Sequence, residues 1–171
     1  MEVGWALPVL WVTLGIVVVT SSLRARRSPA AYRIGVYAVS VLWTFGGAAA
    51  NGWFLARGDD YSGFADGAST SFVRDAWESL VVPHHTLFIG LLVLFEALAG
   101  VLVLVPGPVR QAALLSLIAF DVLLVSFGWG YLVWSVPMVL ALSLLWRAGR
   151  SRDSRGRLRP SRSAAPEEVS S

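Results

Sequence analysis

The chain contains no cysteine and no lysine, and only two histidines. Without a thiol there can be no disulfide, no thiol redox chemistry and no thiolate–metal centre. The histidines, His84 and His85, are adjacent. Neighbours on one helix cannot both ligate a single haem iron, and no third histidine exists to complete a pair. Their spacing to the loop aspartates does not match a metal-binding pattern either. Also missing are a glycine-rich phosphate loop, a nucleophile elbow, a zinc pattern and a dinucleotide fingerprint. No internal repeat is visible. A catalytic role would therefore work on a bound lipid-soluble substrate, or through a partner that carries the cofactor. The chain supplies no cofactor of its own.

What remains is mostly apolar. Hydrophobic residues make up 56% of the 171, and the mean hydropathy is +0.64. That is too apolar for a soluble domain of this size. Four runs, 3–22, 34–56, 84–105 and 111–147, reach the roughly 20 residues that a membrane span needs. The last would be about 55 Å long as one helix, too long for one crossing. Gly128-Trp129-Gly130 divides it, since glycines beside an interfacial tryptophan suit a tight turn.

Charge decides the parity. Arginine carries all the side-chain positive charge apart from histidine, and it clusters as Arg24/Arg26/Arg27/Arg33, Arg110, and Arg147/Arg150/Arg152/Arg155/Arg157/Arg159/Arg162. Positive charge beside span ends marks the cytoplasmic face. Four spans would put the tail on the same side as the acidic segment 57–83, with Asp59, Asp60, Asp66, Asp75 and Glu78. Five spans separate them. The expected fold is an all-α, five-span membrane bundle, N-terminus out and C-terminus in. The first run has Glu2 and no basic segment before it, and arginines follow it, so a retained helix (1–23) is expected rather than a signal peptide.

Within the exported segment 57–83, residues 71–82 place Phe72, Val73, Ala76, Trp77, Leu80 and Val81 at helical spacing. They predict a short amphipathic helix on the outer surface, stopped before Pro83. It would be a cap on the bundle or a lid that gates substrate. Small residues in the second span, Gly46-Gly47-Ala48-Ala49-Ala50-Asn51-Gly52, allow close helix approach. The tail 148–171, rich in arginine, serine and proline, is expected to be disordered and to attract anionic lipid. Juxtamembrane arginine is the ordinary topology signal, so nucleic acid is not an expected partner.

Glu96 and Asp121 are the acids inside the spans, each nine residues from the arginine-flanked end of its helix. The turn Pro106-Gly107-Pro108 should pair those helices as an antiparallel hairpin and place both acids near the midplane, where charge is costly. They are the candidate catalytic residues, for proton relay, quinone headgroup binding or ion coordination. Alternatively each bonds a backbone carbonyl or a partner such as Ser40, Asn51 or Ser116. Whether they face one another is left open. His85 shares a helix face with Glu96, about 16 Å away. With Asn51, it is a weaker candidate for ligand binding or for a proton path from the outer surface.

From Arg33 to Trp146 the chain resembles the DoxX-like (DoxX/DoxD) family of small bacterial membrane proteins. The resemblance rests on the small-residue helix Gly46-Gly47-Ala48, on Phe72-Val73-Arg74-Asp75-Ala76-Trp77, and above all on Leu94-Phe95-Glu96-Ala97-Leu98-Ala99-Gly100. It implies a four-helix membrane domain (33–147) in a bacterial plasma membrane, preceded here by an additional helix. It also implies association with thiosulfate:quinone oxidoreductase or with complexes linking sulfur and oxidative-stress enzymes. Glu96 is the residue that carries over. The lysine that commonly closes the family's first helix is absent, with Arg57 the nearest basic residue. The leading expectation is a membrane subunit or accessory protein of a quinone-linked redox system, with redox subunits as partners. A partner-anchoring scaffold and a small proton-coupled transporter are the rivals.

Overall fold

A computed structural model describes residues 6–157. Five helices are long and apolar enough to cross a membrane, and no strand occurs among the described residues. They are α1 (Ala6–Arg24), α2 (Pro29–Ala56), α3 (Ser71–Leu102), α4 (Pro108–Leu124) and α5 (Trp129–Arg157). The division of the last long run falls at Gly128, whose φ of 119° lies where a side chain would be strained. Gly107, with φ of 85°, closes the turn between α3 and α4 in the same way.

Local signals account for the helix starts. Ser28 caps α2 by accepting the Ala31 N–H at 3.2 Å, with Pro29 in the first turn where its missing N–H costs nothing. Thr70 caps α3 by accepting the Val73 N–H at 3.3 Å. Pro83 does not stop the amphipathic segment. Residues 71–81 are the opening turns of α3, and the helix continues through a 3-10 turn at Val82–His84 into the long α-helical stretch. Proline is tolerated there because it sits at the first turn of that 3-10 segment, after the wider π turn Trp77–Val81. The expected surface helix is therefore part of a span-length helix.

α2 is the central helix: 61% of its span is buried, against 22–28% for the other four. It packs on α1 and α3 and touches α5, while α4 and α5 form an antiparallel pair and α5 returns to α1. The core at these contacts holds Val18, Val39, Leu114, Leu117, Leu142 and Leu145. Apolar side chains such as Ile16, Leu91, Leu98, Val122 and Leu140 point outward and stay exposed, the surface expected of a bundle solvated by lipid. The first helix is built into the bundle. The Trp11 Nε1–H donates to the Gly46 carbonyl at 2.7 Å, and its ring stacks on Trp134 at 5.1 Å.

The arginine clusters gather at one end of the bundle. Arg110, opening α4, donates from Nε to the Val103 carbonyl (2.7 Å) and from Nη2 to the Leu104 carbonyl (2.9 Å), closing the end of α3. Arg152, late in α5, donates to the Ala25 carbonyl beyond α1 at 2.7 Å. Both guanidiniums lie over the buried Tyr32 ring, at 5.8 and 5.0 Å. α5 stays helical to Arg157, past position 148 where the expected basic tail begins. The rest of the tail, 158–171, lies outside the described residues, as do 1–5.

Candidate functional site: a buried carboxyl under an aromatic cap

Glu96 lies on α3 at 4% exposure and faces α2. Its Oε2 accepts a hydrogen bond from Asn51 Nδ2 at 2.9 Å. Its Oε1 lies against Gly47: a Cβ there would stand 2.7 Å from that oxygen, so the carboxyl would have to shift. Among the described residues Oε1 has no hydrogen-bond partner. One turn further along α3, Gly100 meets Thr44 and the Ser40 carbonyl, with a Cβ position 3.2 Å from that backbone oxygen. The two glycines, one from each helix, let the backbones approach closely enough for Asn51 to reach the acid.

The α2 side of this contact is a π-helical stretch, Leu42–Ala49. Such wide turns are rare and occur often at functional sites. Here the stretch contains Gly46 and Gly47, and it offers a carbonyl to Trp11 on one side and room for Glu96 on the other.

Above Asn51 sits Tyr61, in the loop between α2 and α3. Its hydroxyl donates to the Asn51 backbone carbonyl at 3.0 Å, and it lies 3.4 Å from Asn51 Oδ1. Its carbonyl accepts the Trp77 Nε1–H at 2.9 Å, and its N–H donates to Asp59 Oδ1 at 2.8 Å. Tyr61 holds these contacts in the left-handed region, φ 57°, the one non-glycine residue to do so among those described. A large side chain there costs about 1–2 kcal/mol, so the surrounding bonds over-determine the position. Burial pushes the Tyr61 hydroxyl up to about 12, with the charges of Asp59 and Glu96 adding to the effect. It is thus a donor, not an anion, throughout the physiological range. Nearby, the Ser62 N–H bonded to Asp60 holds that carboxyl below its ordinary value.

An aromatic group covers this region. Phe64 stacks on Trp77 at 4.8 Å and meets Phe127 at 5.0 Å and Tyr131 at 5.4 Å. The Ser69 N–H donates to the Ser126 carbonyl at 2.9 Å, tying the loop to the turn before α5.

The other candidates lie apart from this network. Phe95 and Phe120 meet at 5.4 Å between α3 and α4, so the acids that follow them stand at a similar level. Yet no hydrogen bond joins Glu96 to Asp121. Asp121 is fully buried, and both its oxygens lack a partner. It follows Leu114 and Leu117 on the buried face of α4, the helix that packs most extensively on α5. Ser116 bonds its own helix at the Ala113 carbonyl. His85 places Nδ1 3.0 Å from the Val82 carbonyl within its own turn, and no bond joins it to Glu96. Of the weaker candidates, then, Asn51 reaches the acid and His85 does not. Sequence reasoning passed over Tyr61, and it read Gly47 only as a residue of close helix packing. The cluster Asp59-Asp60-Tyr61-Ser62-Gly63 reads as an exposed turn, and nothing local shows that its tyrosine folds back onto α2.

Among the described residues no group of histidine and acidic side chains has the arrangement of a metal site. What the arrangement offers chemically is a buried carboxyl on a membrane-length helix, with one oxygen oriented and the other uncommitted. No family model, no curated protein and no solved structure matches the chain.

Proposed function

We propose that the protein is an integral membrane subunit or accessory protein of a quinone-linked redox system, with Glu96 the group that hydrogen-bonds a quinone-type headgroup. The observation that carries this is the half-used carboxyl: Asn51 holds Oε2, while Oε1 has no hydrogen-bond partner among the described residues. An intramembrane acid with spare hydrogen-bonding capacity is suited to accept or return a headgroup proton. Asp121 is completely enclosed and is the weaker candidate. Kinship with the DoxX-like family, resting on Leu94–Gly100, belongs to the same proposal, as do its sulfur or oxidative-stress setting and a bacterial plasma membrane. In this reading the arginine end faces the cytoplasm and Tyr61 the outside.

Native mass spectrometry with quinone extraction tests it, on wild type beside Glu96→Gln and Asn51→Leu. Quinone should co-purify with wild type and fall at least tenfold in Glu96→Gln. Wild-type protein free of quinone in a quinone-replete membrane would sink the reading. The rival scaffold reading draws support from α5, which stays helical to Arg157, well past the apolar stretch that ends near Trp146. Loss of phenotype on deleting 150–171, with Glu96→Gln silent, would favour it.

A further inference from the structure

At the arginine end of the bundle, away from the Asn51–Tyr61 network, a cavity of about 70 Å³ opens between α5 and the turn after α1, lined by Arg26, Ala148, Ser151 and Arg152. One water needs only about 10–15 Å³ of such space, so the cavity admits a larger polar group. Two guanidiniums border it and, among the described residues, no carboxylate does. Like charges converging on one cavity repel unless an anion stands between them. Arg152 cannot swing away freely: the Ala25 carbonyl takes one of its N–H groups and the Tyr32 ring lies beneath its plane. That leaves donors unspent, including an Nε–H that is buried without a partner. Arg26, by contrast, is exposed. Arginine's planar fork suits the oxygens of a phosphate group.

We propose that this cavity is a binding site for a phosphate oxyanion, and that its source is the headgroup of an anionic phospholipid. The position argues for lipid: Ala148 to Arg152 lie within two turns of Trp146, which carries Arg150 over its ring at 4.8 Å, the pairing of an interfacial tryptophan with a headgroup-level charge. The site is independent of Glu96 and of any redox role.

Full-length protein in nanodiscs of phosphatidylcholine, with and without phosphatidylglycerol, provides the test, read as lipid retained in native mass spectrometry. Arg26→Gln is the variant of choice, because Arg26 is exposed and its side chain makes no hydrogen bond among the described residues. Arg33→Gln, an exposed arginine at the same end but outside the cavity, is the control for diffuse charge. Phosphatidylglycerol retention should fall about tenfold or more in Arg26→Gln, the factor for a charge-assisted hydrogen bond, and no more than about fivefold in Arg33→Gln, the share of one charge near the surface. A parallel titration with inorganic phosphate in detergent separates the two sources. Saturable thermal stabilisation by phosphate, lost in Arg26→Gln while lipid retention is unchanged, supports the oxyanion site with free phosphate as its ligand. Equal behaviour of Arg26→Gln and Arg33→Gln in both assays overturns the site and leaves only a diffuse basic surface.

Discussion

Asn51 and Glu96 stand 45 positions apart in sequence, on α2 and α3, and their side chains meet at 2.9 Å. Removing the amide leaves a buried acid without its partner. Asn51→Leu should therefore destabilise the protein by about 1–3 kcal/mol, the usual penalty for orphaning a buried polar group. Glu96→Gln retains an oxygen that can accept the same bond and should change stability by less than about 1 kcal/mol. Thermal unfolding in detergent compares the two. Equal losses would show that the bond does not hold α2 and α3 together.

The glycines at this contact differ in what surrounds them. At Gly100 an added Cβ would meet the Thr44 backbone and the Ser40 carbonyl, neither of which can rotate out of the way. Gly100→Ala should cost about 1–3 kcal/mol through overpacking. At Gly90, on the same helix, nothing lies within 4 Å. There alanine should be neutral or stabilising by about 0.5–1 kcal/mol, because it helps the helix. A stable Gly100→Ala variant would remove the close-approach argument.

Tyr61 links the loop to α2, and its hydroxyl is pushed up to about 12 from an ordinary 10.0. Folding thus favours the neutral phenol. The stability this contributes is complete below pH 10 and is lost as pH rises through about 12. Spectrophotometric titration should show a late-ionising tyrosine that disappears in Tyr61→Phe. The variant should also lose about 1 kcal/mol at neutral pH, the net worth of one hydrogen bond. An unchanged titration curve would mean the hydroxyl is not held as described.

Because the chain has no cysteine, single cysteines report topology without background. Ser71 and Ser154 are exposed at opposite ends of the bundle. In sealed vesicles, an impermeant maleimide should label Ser71→Cys and Ser154→Cys from opposite sides, with Ser154 on the cytoplasmic face. Labelling of both from one side would contradict five crossings.

The number of membrane-length helices, the break at Gly128 and the gathering of arginines at one end could all be read from the chain alone. They depend on local quantities: the length of an apolar run, the glycine needed at a positive φ, and the cost of moving charge across lipid. Pro83 shows where local reasoning stops. A proline predicts a helix end, but a π turn followed by a 3-10 turn carries α3 past it. The site itself depends on how each helix is rotated about its axis, which apolar lipid-facing surfaces leave almost unspecified. That rotation is set by packing: Gly47 and Gly100 bring α2 against α3, Phe95 and Phe120 fill the contact with α4, and Glu96 turns to Asn51 rather than to Asp121. Tyr61 reaches the pair only because the loop folds back over α2, held by bonds to residues that the sequence places up to 16 positions away. Depth in the membrane is a property of one helix; partnership between side chains belongs to the bundle.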